Sequence, residues 1–172
     1  HIKLIVDALA SRTDYDCVNL ETRARRKTIT RKKKNLCNEF RLSGLIQDRC
    51  GAAAYVLWPS GAQYLLEWVD RNGIGLADSM ISLGPDWKHG QIVPAAAIQM
   101  DCCNFYGMQS PIETRTNIHN TPKPTASGAH PFMWRRLKAQ ARIAKRKLCS
   151  VVSAETVILH PHGISSSHSI NG

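Results

Sequence analysis

An α+β fold, a small mixed domain with a basic amphipathic helix toward its C-terminal end, is what the sequence predicts, and three observations carry it. In the stretch 132–152 Trp134, Leu137, Ala141, Ala144, Leu148 and Val151 recur at steps of three and four, the spacing of one helix face. By contrast, AAAYVLW (52–58) and ETVILH (155–160) are short apolar runs rich in β-branched and aromatic residues, of strand length. Hydrophobic content of 43% suffices for a core, while 6% aromatic content means packing by aliphatic side chains and Ala. The alternatives are a mainly α fold, or no stable natural fold at all.

Residues 1–21 form an apolar segment and a turn. IKLIV (2–6) fits either a buried strand or the start of a helix through Leu9 and Ala10. Residues 22–34 are sparse in apolar side chains and read as an exposed basic arm, helical when bound. The apolar core region spans 35–107. Leu36, Phe40, Leu42, Leu45 and Ile46 have core-like spacing compatible with a helix, which Gly44 weakens. Pro59 stops the strand 52–58, Ser60 can cap a helix through Trp68 and Val69, and Asn72-Gly73 ends it. A short apolar segment at 76–83 closes at Gly84-Pro85. Another at 92–100 is split by Pro94, which argues against a central place in a sheet.

Residues 108–131 hold four prolines among many Thr, Ser and Asn, the composition of a linker or long surface loop. Pro131 can open the helix that follows, so 132–159 contains that helix and a short strand. Residues 160–172 read as a flexible tail.

The charge is more informative in its distribution than in its total of +10. Arg23, Arg25, Arg26, Lys27, Arg31, Lys32, Lys33 and Lys34 form one block without an acid. Arg135, Arg136, Lys138, Arg142, Lys145, Arg146 and Lys147 form a second. These fifteen are most of the 23 Lys and Arg, so the rest of the chain has 8 bases against 13 acids. An acidic body thus carries two basic blocks. Solvated helix faces normally mix signs, so an all-basic face points to a polyanion. The expected partner is nucleic acid, RNA before DNA, met through phosphates by these fifteen side chains. A component of a ribonucleoprotein particle would have this pattern. An anionic membrane surface is a lesser alternative for the helix. No aromatic-rich strand signals base stacking, so contact would hold the backbone without reading sequence.

Catalytic signals are weak. Asp7 ends an apolar run, and Asp14 and Asp16 follow closely; at the edge of a sheet they could hold a divalent ion for phosphotransfer or nuclease chemistry. Asp residues at such positions are more commonly caps and turns. The nucleotide-loop motifs GxGxxG and GxxxxGK[ST] and the hydrolase motif GxSxG are missing, and NGIGLAD (72–78) fits a helix stop and turn. His160 and His162, with His168 nearby, have strand-like spacing for a metal, but no CxxC or HExxH accompanies them. No metal site or cofactor is therefore expected, and a binding role comes before an enzymatic one, with a divalent-metal phosphotransfer or nuclease-type enzyme as the alternative. Six cysteines without regular spacing, and no opening charged-then-apolar segment, lead to an expectation of reduced thiols and an intracellular setting. No run approaches the ~18 apolar residues of a spanning helix. Outside 132–152 the local signals are short and mutually indifferent, as they would also be in a scrambled or designed chain.

Overall fold

The computed structural model describes residues 1–48, 52–74, 77–83, 87–109 and 153–164, together with positions 137, 141, 144 and 148. Eight strands and three α-helices occur in the continuous stretches among them: α1 (Ile2–Ala10), β1 (Cys17–Asn19), β2 (Glu21–Thr22), β3 (Arg26–Cys37), β4 (Phe40–Gln47), β5 (Tyr55–Leu57), α2 (Pro59–Asn72), α3 (Ala77–Leu83), β6 (His89–Val93), β7 (Ala97–Ile98) and β8 (Ala154–Ile158). Six strands make one sheet in the order β5-β1-β6-β4-β3-β8, and β2 pairs with β7 in a second, two-stranded sheet. Only the β1–β6 pairing within the large sheet is parallel. The architecture is α+β, and the mainly α alternative does not describe it.

Period-two alternation gives the sheet two packed faces. Val18 and Leu20, with Leu42 of β4 and Ile92 of β6, meet Ile5 and Leu9 of α1 and the buried ring of Phe40. Ile5 and Leu9 are one helical turn apart, so IKLIV belongs to a helix with one buried face. Cys17 points the other way, into a cluster with Ile81 of α3 and Trp87, against which Tyr64 and Leu65 of α2 pack. A third cluster, Ile29, Leu45 and Leu159, fills the β8 end.

Several local expectations match: Tyr55–Leu57 and Ala154–Ile158 are strands, and a helix follows Trp58 and ends at Gly73. Pro59 occupies the first turn of α2, where its missing N–H costs nothing, and Gly73 takes φ +79°, a conformation that favours glycine. Three expectations are corrected. The basic arm at 22–34 is not an unstructured extension but mostly β3, clamped between β4 and β8. The 36–46 stretch is the end of β3, a tight turn and β4 rather than a helix. Finally, the strand near Pro94 lies inside the sheet, between β1 and β4; it ends at Val93, one residue before the proline, so no ladder donor is lost.

The helix expected over 132–152 lies outside the described residues apart from Leu137, Ala141, Ala144 and Leu148, which are helical and exposed. The segment 108–131 and the tail beyond 164 lie outside them too, except for Met108 and Gln109. Among the described residues no helix is long and apolar enough to cross a membrane.

Candidate nucleic-acid interface

The first basic block is organised by an irregularity in its strand. Ile29 of β3 pairs with Leu45 of β4, but the next pair is Lys33 with Ser43. Four steps along β3 therefore match two along β4, and Thr30, Arg31 and Lys32 bulge out of the ladder. Thr30 holds the bulge closed. Its hydroxyl donates to the Lys32 carbonyl (3.1 Å) and accepts the Gly44 N–H (2.9 Å), while the Ser43 hydroxyl donates to the Thr30 carbonyl (2.7 Å). Gly44 packs closely here, since a β-carbon would stand 3.0 Å from the Thr30 methyl and crowd it. On the other edge, the Arg31 N–H donates to Ser153 O (2.6 Å) and its Nε to Ala154 O (3.0 Å). A bulge fixed from both sides leaves Arg31 and Lys32 exposed.

The eight side chains of this block meet different fates. Arg25, Arg26, Arg31, Lys32 and Lys34 are exposed. Arg26, Arg31 and Lys32 have no acid within ion-pair distance among the described residues. Neither has Arg41, an exposed guanidinium on β4 opposite Asn35 that belongs to the same hairpin. Arg23 pairs with Asp101 at 3.0 Å and Lys33 with Glu155 at 2.7 Å. Lys34 donates to Asp14 at 2.7 Å, and this bond holds the Asp14 carboxyl below the usual range. The second block, Arg135, Arg136, Lys138, Arg142, Lys145, Arg146 and Lys147, lies outside the described residues.

Lys27 departs most from the expectation of a phosphate-facing side chain. It is 1% exposed, and its ammonium reaches Asp48 Oδ2 (2.7 Å), Gln91 Oε1 (2.9 Å) and the Glu21 carbonyl (3.0 Å). Three donors meet three acceptors, so none of its N–H groups is buried without a partner. Gln91 closes the network by donating to the carbonyls of Glu21 and Ile92. Burial pushes the neighbouring Glu21 carboxyl above its usual range, against the Gln99 amide that donates to it. Lys27 thus has a structural place and is not available to a phosphate.

No protein-family model, curated protein or solved structure matches this chain. Asp7, Asp14 and Asp16 do not gather: Asp7 pairs with Lys3 one turn away on α1, and Asp14 with Lys34. Asp16 accepts the Ser60 hydroxyl (2.7 Å) and the Lys88 N–H (2.8 Å), so it fastens α2 and β6 to β1. His160 and His162 also diverge. The His160 ring turns to Tyr106, and His162 contacts Glu39 in the β3–β4 turn. His168 lies outside the described residues.

The described cysteines, Cys17, Cys37, Cys102 and Cys103, are free. Burial pushes the Cys17 thiol up to about 12. In the native protein at pH 8 an alkylating reagent is expected to label the partly exposed Cys37 and leave Cys17 untouched until denaturant is added. Peptide mass spectrometry reads this directly; labelling of Cys17 at the rate of Cys37 would contradict its burial.

Proposed function

We propose that this protein binds nucleic acid, structured RNA in preference to DNA, through phosphate contacts made by the β3–β4 hairpin. The observation that carries the reading is the bulge at Thr30–Lys32. It turns part of a strand held on both edges into a fixed platform from which Arg31 and Lys32 project, with Arg26 and Arg41 on the same two strands. Holding the backbone beforehand lowers the ordering cost of each phosphate contact. Guanidinium groups suit the bidentate geometry of phosphate oxygens. The sequence of the second basic block, 135–147, adds the same chemistry. Such contacts position a polyanion without reading its bases, as a ribonucleoprotein component would.

The test is the salt dependence of binding to a generic RNA duplex. Each neutralised phosphate contributes roughly 0.7–0.9 to the log–log slope, so five to eight contacts give about −4 to −7. The triple variant Arg26→Glu, Arg31→Glu, Lys32→Glu is expected to reduce that slope by about two to three and to weaken all sequences alike. These side chains are exposed, so the thermal transition should stay within a few degrees of wild type. An affinity independent of salt, or none at ~50 mM salt, would remove the proposal. If anionic vesicles outcompete RNA, the surface is a membrane surface instead.

A further inference from the structure

We propose that His1, Glu39 and His162 form a binding site for a divalent transition ion of the zinc type. One ligand atom from each lies within 4.8 Å of the other two, although the residues come from the start of α1, the β3–β4 turn and the segment after β8. Even at that outer limit a central ion would stand about 2.8 Å from each atom. Metal–ligand bonds of ~2.0–2.2 Å are then reached by shifts of well under about 1 Å in the side chains. Side-chain rotation supplies such a movement here, because Glu39 and His1 are exposed and His162 is partly so.

The surroundings favour a cation between these groups. Glu39 Oε1 faces His162 Nε2 directly, which sets a carboxylate oxygen beside an imidazole nitrogen as two ligands of one ion would stand. The His1 ring lies 4.5 Å from the His162 ring, which adds a second imidazole to the same spot. The His162 ring also stacks on Phe40 at 5.0 Å, and Phe40 is 1% exposed, so an apolar wall orients the imidazole. The backbone is held as well: His162 N–H donates to Ala95 O (2.8 Å), and Ala95 N–H donates to His160 O (3.0 Å). Ligands whose orientation is set by such outer contacts bind metal more tightly.

Two imidazoles and one carboxylate suit Zn²⁺, Co²⁺ or Ni²⁺, whereas Mg²⁺ and Ca²⁺ seek oxygen donors alone. Three protein ligands leave the fourth position of a tetrahedral ion open to water or an anion. The ion would tie the tip of the basic hairpin to α1 and to the segment that follows the last strand.

Calorimetry with ZnCl₂ on the full chain tests this. One equivalent is expected to bind with Kd on the order of 1–10 µM. Glu39→Gln, in an exposed turn, and His162→Gln are each expected to weaken binding at least about tenfold. His1→Ala completes the set. Co²⁺ substitution guards against binding at cysteine: a site of nitrogen and oxygen donors lacks the near-ultraviolet thiolate-to-cobalt band. Retained affinity in all three variants, a strong thiolate band, or displacement of zinc by millimolar Mg²⁺ would each overturn the proposal. So would the absence of any heat with ~1 mM zinc.

Discussion

Replacing Lys27 by Met is expected to destabilise the protein by about 3–5 kcal/mol, although Met matches the volume of the lysine stem. The cost comes from what remains behind. Asp48 is 4% exposed and would lose its 2.7 Å partner in a place that water does not reach. Gln91 Oε1 and the Glu21 carbonyl would lose a donor at the same time. Domains of this size are stable by only about 5–15 kcal/mol, so the loss is a large fraction of the whole. A second change decides whether charge is the cause. Adding Asp48→Asn removes the carboxylate that faced the lysine and keeps an amide beside Asn19, so the double variant should be more stable than Lys27→Met alone. Urea denaturation of the four proteins measures the cycle. A double variant less stable than the single one would show that packing, not the buried charge, sets the cost.

Gly61→Ala is expected to cost about 2–3 kcal/mol, against the direction that helix propensity predicts. Gly61 lies in the first turns of α2, where Ala would ordinarily be better by about 1 kcal/mol. But a β-carbon at this position would stand 2.3 Å from the Asp16 carbonyl oxygen and 2.9 Å from a Leu57 methyl. The oxygen belongs to the backbone and already accepts the Trp58 N–H at 3.0 Å, so it cannot yield without moving α2 off β1. Thermal denaturation showing Gly61→Ala as stable as wild type would mean that this helix has slack in its seat.

The fold was legible where a local rule and a tertiary demand agree. Pro59 and Gly73 bracket α2 by backbone geometry that no packing overrides. Residues 155–158 look like a strand and pair as one. The basic block misled because charge is visible in a sequence while its partners are not. Lys27 is answered by Asp48 and Gln91, which stand 21 and 64 positions away, and nothing local distinguishes it from exposed Arg26. Leu36, Phe40 and Leu42 have spacing that a helix shares with two strands around a tight turn; Asn38, at φ +47°, is the residue that makes the turn. Of the candidate sites, the exposed bases of the hairpin could be read from composition. The grouping of His1, Glu39 and His162 could not, because its members span 161 positions and meet only once the sheet is assembled.

The place of β3 in the sheet bears on how the chain is made. Its outer neighbour β8 comes from residues 154–158, more than a hundred positions later. During synthesis, domains form from the N-terminal side, so the first five strands and β6 are available well before β8. Throughout that interval Arg26–Thr30 stands as a bare sheet edge, with backbone donors and acceptors open to any other extended segment. Exposed strand edges recruit neighbouring chains unless something repels them. Here the edge carries Arg25 and Arg26 at one end and Arg31 and Lys32 at the other, so two nascent chains meeting edge to edge bring like charges together. These exposed cations would thus keep the half-made protein from polymerising, and among the described residues β8 is the strand that closes the gap.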